Sequence, residues 1–173
     1  MVYETKPMRR VGFTLIEVLM VLVIMGIASA IVIPMISDTS DMKATSAARQ
    51  IASTLLYAQT ASISTQQKYQ VVFNPSNNSY EVQDSGGNVI LDPVVGSPYQ
   101  IQYLSDRRTQ NVSLETADFD GSHTVWFDRL GAPYGGAISE SPPPLSSGQV
   151  VVRVKNKSIT IHVEPVTGRI TVQ

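Results

Sequence analysis

The sequence predicts an α+β chain: a long N-terminal helix, transmembrane in its first half and amphipathic in its second, packed on an antiparallel β-sheet head. Three observations carry this reading. Val18 to Ser37 form a run of 20 uncharged residues rich in Val, Ile, Leu and Met, which as a helix reaches the ~30 Å depth of a hydrocarbon core. From Asp38 the chain turns polar yet keeps a helical period. Beyond residue 66, short β-rich segments alternate with turn signals, and no helical pattern lies between them.

Composition sets the outer limits. A chain of 173 residues, 43% hydrophobic, supplies about one domain with a core plus an appendage. The net charge of −1 lacks the strong basic bias of a dedicated nucleic-acid binder. Lys6, Arg9 and Arg10 against Glu4 give the first twelve residues +2, and the remainder carries −3. Positive charge therefore sits ahead of the apolar run. With no cysteine, disulfides, thiolate nucleophiles and Cys-based metal sites are excluded.

Taken in order, the predicted parts are a leader over 1–12, a transmembrane helix over 13–37, its amphipathic continuation over 38–66 and a β head over 67–173. Pro34 falls near the end of the span, where it kinks or loosens one turn, since membrane helices tolerate proline. In the continuation, Ala44, Ala48, Ile51, Leu55 and Ala58 recur at steps of four and three, a stripe that packs a helix onto its own domain. Ser62 is next in that series, where the apolar stripe fades. The whole is expected as one helix from about Thr14 to about Ser64.

In the head, Tyr69–Phe73 and Tyr80–Gln83 read as strands around the turn cluster Asn74-Pro75-Ser76-Asn77-Asn78. Ser85-Gly86-Gly87-Asn88 turns the chain into Val89-Ile90-Leu91. Further strand candidates are Tyr99–Leu104, Val112–Leu114, Thr124–Phe127, Val150–Val154, Ser158–Val163 and Ile170–Val172. Lys155-Asn156-Lys157 and Pro165-Val166-Thr167-Gly168 mark turns of a C-terminal meander. Ser141-Pro142-Pro143-Pro144 with Leu145-Ser146-Ser147-Gly148 reads as one exposed, extended loop. Short turns between successive strands favour antiparallel pairing.

The most informative stretch is Arg9-Arg10-Val11-Gly12-Phe13-Thr14-Leu15-Ile16-Glu17. A basic leader before an apolar run suits an ordinary secretory signal peptide, and Ala28-Ser29-Ala30 offers an A-x-A cleavage pattern. Glu17 stands against that reading, because a carboxylate inside a span costs several kcal/mol unless paired or protonated. Small residues such as Ala28, Ser29 and Ala30 are also common where membrane helices approach closely. A cut between Gly12 and Phe13 gives Glu17 a purpose. It creates an α-amino cation four residues away, and a carboxylate on one subunit can neutralise the terminal amine of its neighbour during assembly. Glu17 also complements the helix macrodipole in the first turn. Gly12 suits the cut, since a residue without Cβ lets a protease approach the backbone.

Gly12-Phe13-Thr14-Leu15-Ile16-Glu17 resembles the processing signature of type IV pilins and type II secretion pseudopilins, a likeness covering about the first 40 residues. The resemblance implies that Gly12 is the last leader residue seen by prepilin peptidase and that Phe13 is the N-methylated mature terminus. It further implies that Glu17 pairs with a neighbouring subunit, and it places Pro34 at a family kink position. Met8 is an alternative start, giving a five-residue leader. The head resembles the GspH/FimT family of minor pilins and pseudopilins through Thr124-Val125-Trp126-Phe127-Asp128-Arg129-Leu130-Gly131, Gly135-Gly136, Ile159-Thr160-Ile161 and Thr167-Gly168-Arg169-Ile170. It lacks the cysteine pair with which major pilins staple a C-terminal loop.

The resemblance implies a structural subunit of a type II secretion pseudopilus or type IV pilus, involved in filament initiation, assembly and protein secretion. Its partners would be prepilin peptidase, other pilins and the bacterial inner membrane, with the head in the periplasm. No enzyme constellation is present, and no cofactor or metal is expected. Asp118, Asp120 and His123 can be drawn as a metal site, but a polar turn explains them better, and His162 lies in another strand. One alternative is a DNA-binding minor pilin for DNA uptake. Arg153, Lys155, Lys157 and Arg169 against Glu164 leave a local +3 between Gln149 and Gln173 that can contact phosphates. The DNA-binding relatives carry a second arginine soon after the Gly-Arg pair, where this chain has Ile170, Thr171 and Val172. The other alternative is a secreted β domain behind an ordinary signal peptide.

Overall fold

Among the described residues, two α-helices, one 3-10 turn and nine strands follow one another. The computed structural model describes residues 12–36, 40–103 and 111–173, with the side chains of 30–36 excepted. The leader up to residue 11, the expected helical continuation across 37–39 and the expected strand end at Leu104 lie outside the described residues. Two units divide between Thr39 and Ser40.

The first unit holds α1 (Leu15–Ile36), a helix of 22 residues. It runs through Pro34, and every described residue from Gly12 to Ser29 is exposed. Among the described residues no helix is long and apolar enough to cross a membrane; the described side chains of α1 end at Ser29.

The second unit begins with α2 (Ser40–Thr65). The predicted stripe Ala44, Ala48, Ile51, Leu55 and Ala58 is wholly buried, and Ala47, Thr54 and Ser62 join it. Ser62 belongs there because its hydroxyl donates to the Ala58 carbonyl at 2.9 Å and accepts the Tyr69 N–H at 3.2 Å. This fastens the end of α2 to the first strand. Small side chains along the stripe let α2 lie close to the strands beneath it.

The strands are β1 (Tyr69–Asn74), β2 (Ser79–Gln83), β3 (Gln100–Gln102), β4 (Val112–Phe119), β5 (Thr124–Phe127), β6 (Pro133–Gly135), β7 (Gly148–Val154), β8 (Lys157–Val163) and β9 (Ile170–Val172). They form two sheets, ordered β3-β2-β1-β5-β6 and β4-β7-β8-β9, and every pairing is antiparallel. One core joins both sheets to α2. Val71, Phe73, Tyr80, Val82, Val125 and Phe127 enter it from the first sheet. Phe119 of β4 meets Phe73 of β1 from the second, with ring centroids 5.7 Å apart.

Three strand expectations need correction. Val89-Ile90-Leu91 is not a strand: Val89 and Leu91 make only isolated bridges, to Gln83 and Pro98, inside a long excursion between β2 and β3. β4 continues to Phe119 rather than stopping at Leu114, because a bulge at Glu115 shifts the register between Leu114 and Thr116. The shift lets Val112 and Leu114 on one side of it, and Ala117 and Phe119 on the other, all face the core. β6 was not expected at all. The cluster after β1 behaves as read: Pro75–Asn77 is a 3-10 turn capped by Asn74, and Asn78 takes the left-handed conformation at φ 49°. The expected exposed loop from Ser141 to Gly148 also needs correction at its end: Leu145 is buried and Gly148 already opens a strand, which anchors the segment.

Candidate functional site

At the N-terminus the chain becomes helical through Thr14. Its Oγ1 accepts the Glu17 N–H at 3.3 Å, and its carbonyl accepts the N–H groups of Glu17 and Val18 at 3.1 and 3.3 Å. Thr14 is thus the N-cap and Glu17 the third helical residue, the Thr-x-x-Glu spacing of a capping box. Sequence reasoning placed Glu17 in the first turn but missed Thr14, although that spacing was its signal. Phe13, just outside the helix, is 84% exposed. The apolar side chains of α1 face outward on all sides, from Leu15 through Ile27. A helix apolar all round requires an apolar medium or neighbouring helices. At the rival cleavage pattern, the Ala28-Ser29-Ala30 backbone is helical, and the Ser29 hydroxyl donates to the Met25 carbonyl at 2.7 Å.

The basic residues of the C-terminal meander do not form one patch. Arg153, Lys155 and Lys157 cluster at the β7–β8 turn, where Val154 pairs with Lys157. Arg169 precedes β9, whose Ile170 pairs with Val163 at the other end of β8. Six residues of strand, about 20 Å, separate the two places. Two of the turn cations also have acidic partners. Arg153 meets Glu115, the bulge residue, at 2.6 Å and donates to the Ser158 hydroxyl at 3.2 Å. Lys157 lies 3.8 Å from Asp41.

The Asp118–His123 segment is held by its own turn bonds and by the loop that carries Ser146 and Ser147. Gly121 N–H donates to Asp118 Oδ1 at 2.8 Å, and Asp120 accepts the N–H groups of Ser146 and Ser147 at 2.8 and 3.0 Å. His123 Nδ1 lies 2.6 Å from the Ala117 carbonyl. His162 stands on β8, opposite Gln149 and Thr171. Among the described residues no group of three or more acids and histidines is placed to hold a metal ion.

The motif residues of the head converge instead on a structural tie. Gln59 of α2 donates through Nε2 to the Gly131 carbonyl at 2.9 Å and to the Thr167 carbonyl at 3.2 Å. One amide therefore binds the β5–β6 turn of the first sheet and the β8–β9 turn of the second. The first turn is shaped by Asp128, whose Oδ1 accepts the N–H groups of Leu130 and Ala132 at 2.9 and 2.8 Å. Val125 and Phe127 are core residues, while Trp126 lies between them on the opposite face of the sheet. It stacks on Tyr134 with centroids 4.5 Å apart, beneath the Lys68 ammonium 4.8 Å from its ring.

Residues 8–33 match a family model described as the prokaryotic N-terminal methylation motif. The chain carries an N-terminal methylation motif. That motif spans Gly12, Phe13 and Glu17 and ends within α1. No curated protein matches the chain in sequence. Among solved structures it is similar to the type IV minor pilin FimU of Pseudomonas aeruginosa, at 12% identity and a TM-score of 0.49, over 77% of this chain and 90% of that one. It is also similar to the minor pseudopilin EpsH from the Type 2 Secretion System of Vibrio cholerae, at 10% identity and a TM-score of 0.48, over 76% and 96%.

Proposed function

We infer that this chain is a minor pilin or pseudopilin, a non-catalytic subunit of a type II secretion pseudopilus or type IV pilus. The observation that carries the reading is the methylation motif at residues 8–33. Prepilin peptidase cuts between Gly12 and Phe13, and Phe13 is then N-methylated. The segment 13–37 lies in the inner membrane before assembly and among the helices of other pilins afterwards, with the head in the periplasm. The uncharged run from Val18 to Ser37 and the all-round apolar surface of α1 support this placement, since both call for a non-aqueous surrounding.

Glu17 then has two tasks. Its N–H completes the Thr14 cap, and its carboxylate neutralises the terminal amine of an adjacent subunit in a medium where neither charge is stable alone. A role in DNA uptake finds less support, because Arg169 stands apart from the β7–β8 turn while Arg153 and Lys157 already have acidic partners.

Mass spectrometry of the membrane fraction tests the assignment. The expected result is a mature chain beginning at methylated Phe13. A terminus at Ile31 would overturn it in favour of a freely secreted domain.

A further inference from the structure

Two ties fix which turns of the head lie at which end of α2. At its start, Lys157 Nζ is 3.8 Å from Asp41 Oδ1. Toward its end, Gln59 Nε2 donates to the Thr167 carbonyl at 3.2 Å. β8 therefore runs alongside α2 in the same direction, with the β7–β8 turn at the beginning of the helix and the β8–β9 turn near its close.

Chain length brings that first end within reach of a bilayer surface. The uncharged run stops at Ser37, and four residues of backbone lead from there to Asp41, at most ~14 Å by any path. The headgroup layer itself is roughly 5–8 Å deep on each side of the hydrocarbon. Lysines cover part of the remainder on their four-carbon stems.

The side chains at this end suit such a layer. Met42, in the first turn of α2, is 72% exposed, and Lys43 follows it. Lys155 and Asn156 form the exposed crest of the β7–β8 turn. Lys155 takes φ 53°, a left-handed conformation in which turn chemistry favours glycine or asparagine. A lysine stands there instead. Arg153 and Lys157 are engaged by Glu115 and Asp41, whereas Lys43 and Lys155 have no acidic partner among the described residues. Two positive charges and one thioether side chain are thus left to an outside partner.

We propose that Met42, Lys43 and Lys155 form a lipid-facing end of the head, which rests on anionic phospholipid headgroups while the subunit is held in the membrane. Two separated cations offer no track for a duplex, which is bound by cations spaced along its phosphates. A fluid lipid surface brings its phosphates to each cation where it stands. The contact is weak, since each lysine near an anionic surface changes occupancy roughly fivefold. It orients the head before assembly and is given up when the subunit leaves the bilayer, so lipid charge sets how readily the subunit is drawn out. This deepens the proposed function and rests on the membrane placement of residues 13–37.

The sequence has no cysteine and a single tryptophan. A fluorophore can therefore be attached at one chosen site, and the emission of buried Trp126 reports that the head stays folded. The full chain with Asn156→Cys, labelled there, is reconstituted into phosphatidylcholine vesicles with or without phosphatidylglycerol, each containing a small share of lipid with a nitroxide on its headgroup. Quenching at position 156 should be about threefold stronger with phosphatidylglycerol. A label at Val166→Cys, on the β8–β9 turn, should be quenched little in either. Lys43→Gln with Lys155→Gln, or high salt, should return position 156 to the neutral-lipid level.

Equal quenching at position 156 in neutral and anionic vesicles would overturn the proposal. So would quenching at position 166 that matches it, or indifference to the two lysine substitutions. Duplex DNA that binds the chain in neutral vesicles and is released by Lys155→Gln would overturn it in favour of nucleic acid. Flotation with neutral vesicles reports the membrane segment separately. A chain that floats without anionic-lipid contact at position 156 removes the lipid-facing end and leaves the membrane placement, whereas a chain that stays in solution removes both.

Discussion

Gly168 shows what a single residue does in this head. It takes φ 63°, and a Cβ there would fall against Gln59 Nε2 and 2.8 Å from the Gly131 carbonyl. Gly168→Ala therefore meets two penalties, the left-handed backbone and the displacement of the amide that binds both turns. We expect a loss of about 1–3 kcal/mol in the denaturant unfolding of the head. Gln59→Ala should cost about 1–2 kcal/mol by losing two hydrogen bonds, and the double substitution should be less damaging than the sum. Additive losses would show that Gly168 acts independently of Gln59. Gly168 was legible as the end of the Pro165-Val166-Thr167-Gly168 turn, whereas Gly131 entered only through the family resemblance. Their meeting at Gln59 was not legible, since the two bonds span 72 and 108 residues of sequence and a glutamine on a helix carries no local sign of its partners.

At the scale of the elements, α2 was readable because its stripe obeys one period from Ala44 to Ser62. β4 was readable only as far as its alternation held. Glu115 and Thr116 are both exposed, so the two-residue pattern fails at the bulge and the second half of the strand reads as a separate segment. β6 was hidden by its composition, since Pro133 and Gly135 are depleted in strands and flank a single Tyr134; it forms by pairing with β5.

Under α2, burial pushes the Tyr80 and Tyr103 hydroxyls well above the ordinary tyrosine value of 10.0. The Tyr103 hydroxyl donates to the Ala47 carbonyl at 3.3 Å, tying this layer to α2. The native head keeps both protons where the unfolded chain releases them. Their contribution is complete below pH 10 and is lost as the pH climbs from there toward the raised native values. Stability against denaturant should therefore fall above pH 10, with tyrosinate absorbance appearing in step with unfolding. Tyr80→Phe should make that fall shallower; an unchanged slope would assign alkaline unfolding to other groups.

For the whole molecule, the N-terminal segment and the head were legible to different depths. Six consecutive residues, Gly12 to Glu17, carry a local chemical code that needs no tertiary partner, so the methylation motif could be read directly from them. The sheets depend on pairings between distant segments. Antiparallel order was foreseeable from the short turns, but the division into two sheets was not. The +3 of the C-terminal meander was a count along the chain, and the fold disperses it by setting Arg169 at the opposite end of β8 from Lys157. If Glu17 serves assembly, Glu17→Ala should leave export, cleavage and head stability unchanged while filament incorporation falls at least tenfold, as measured by immunoblot of sheared filaments against membranes. Normal incorporation would remove the pairing role.

The tie at Gln59 also limits how the head can be exchanged between relatives. A graft that imports the β5–β6 turn alone, or the β8–β9 turn alone, brings a carbonyl that the resident helix was not shaped to meet. Successful chimeras should transfer the helix position and both turns as one package, so the smallest portable module of this head is discontinuous in the gene.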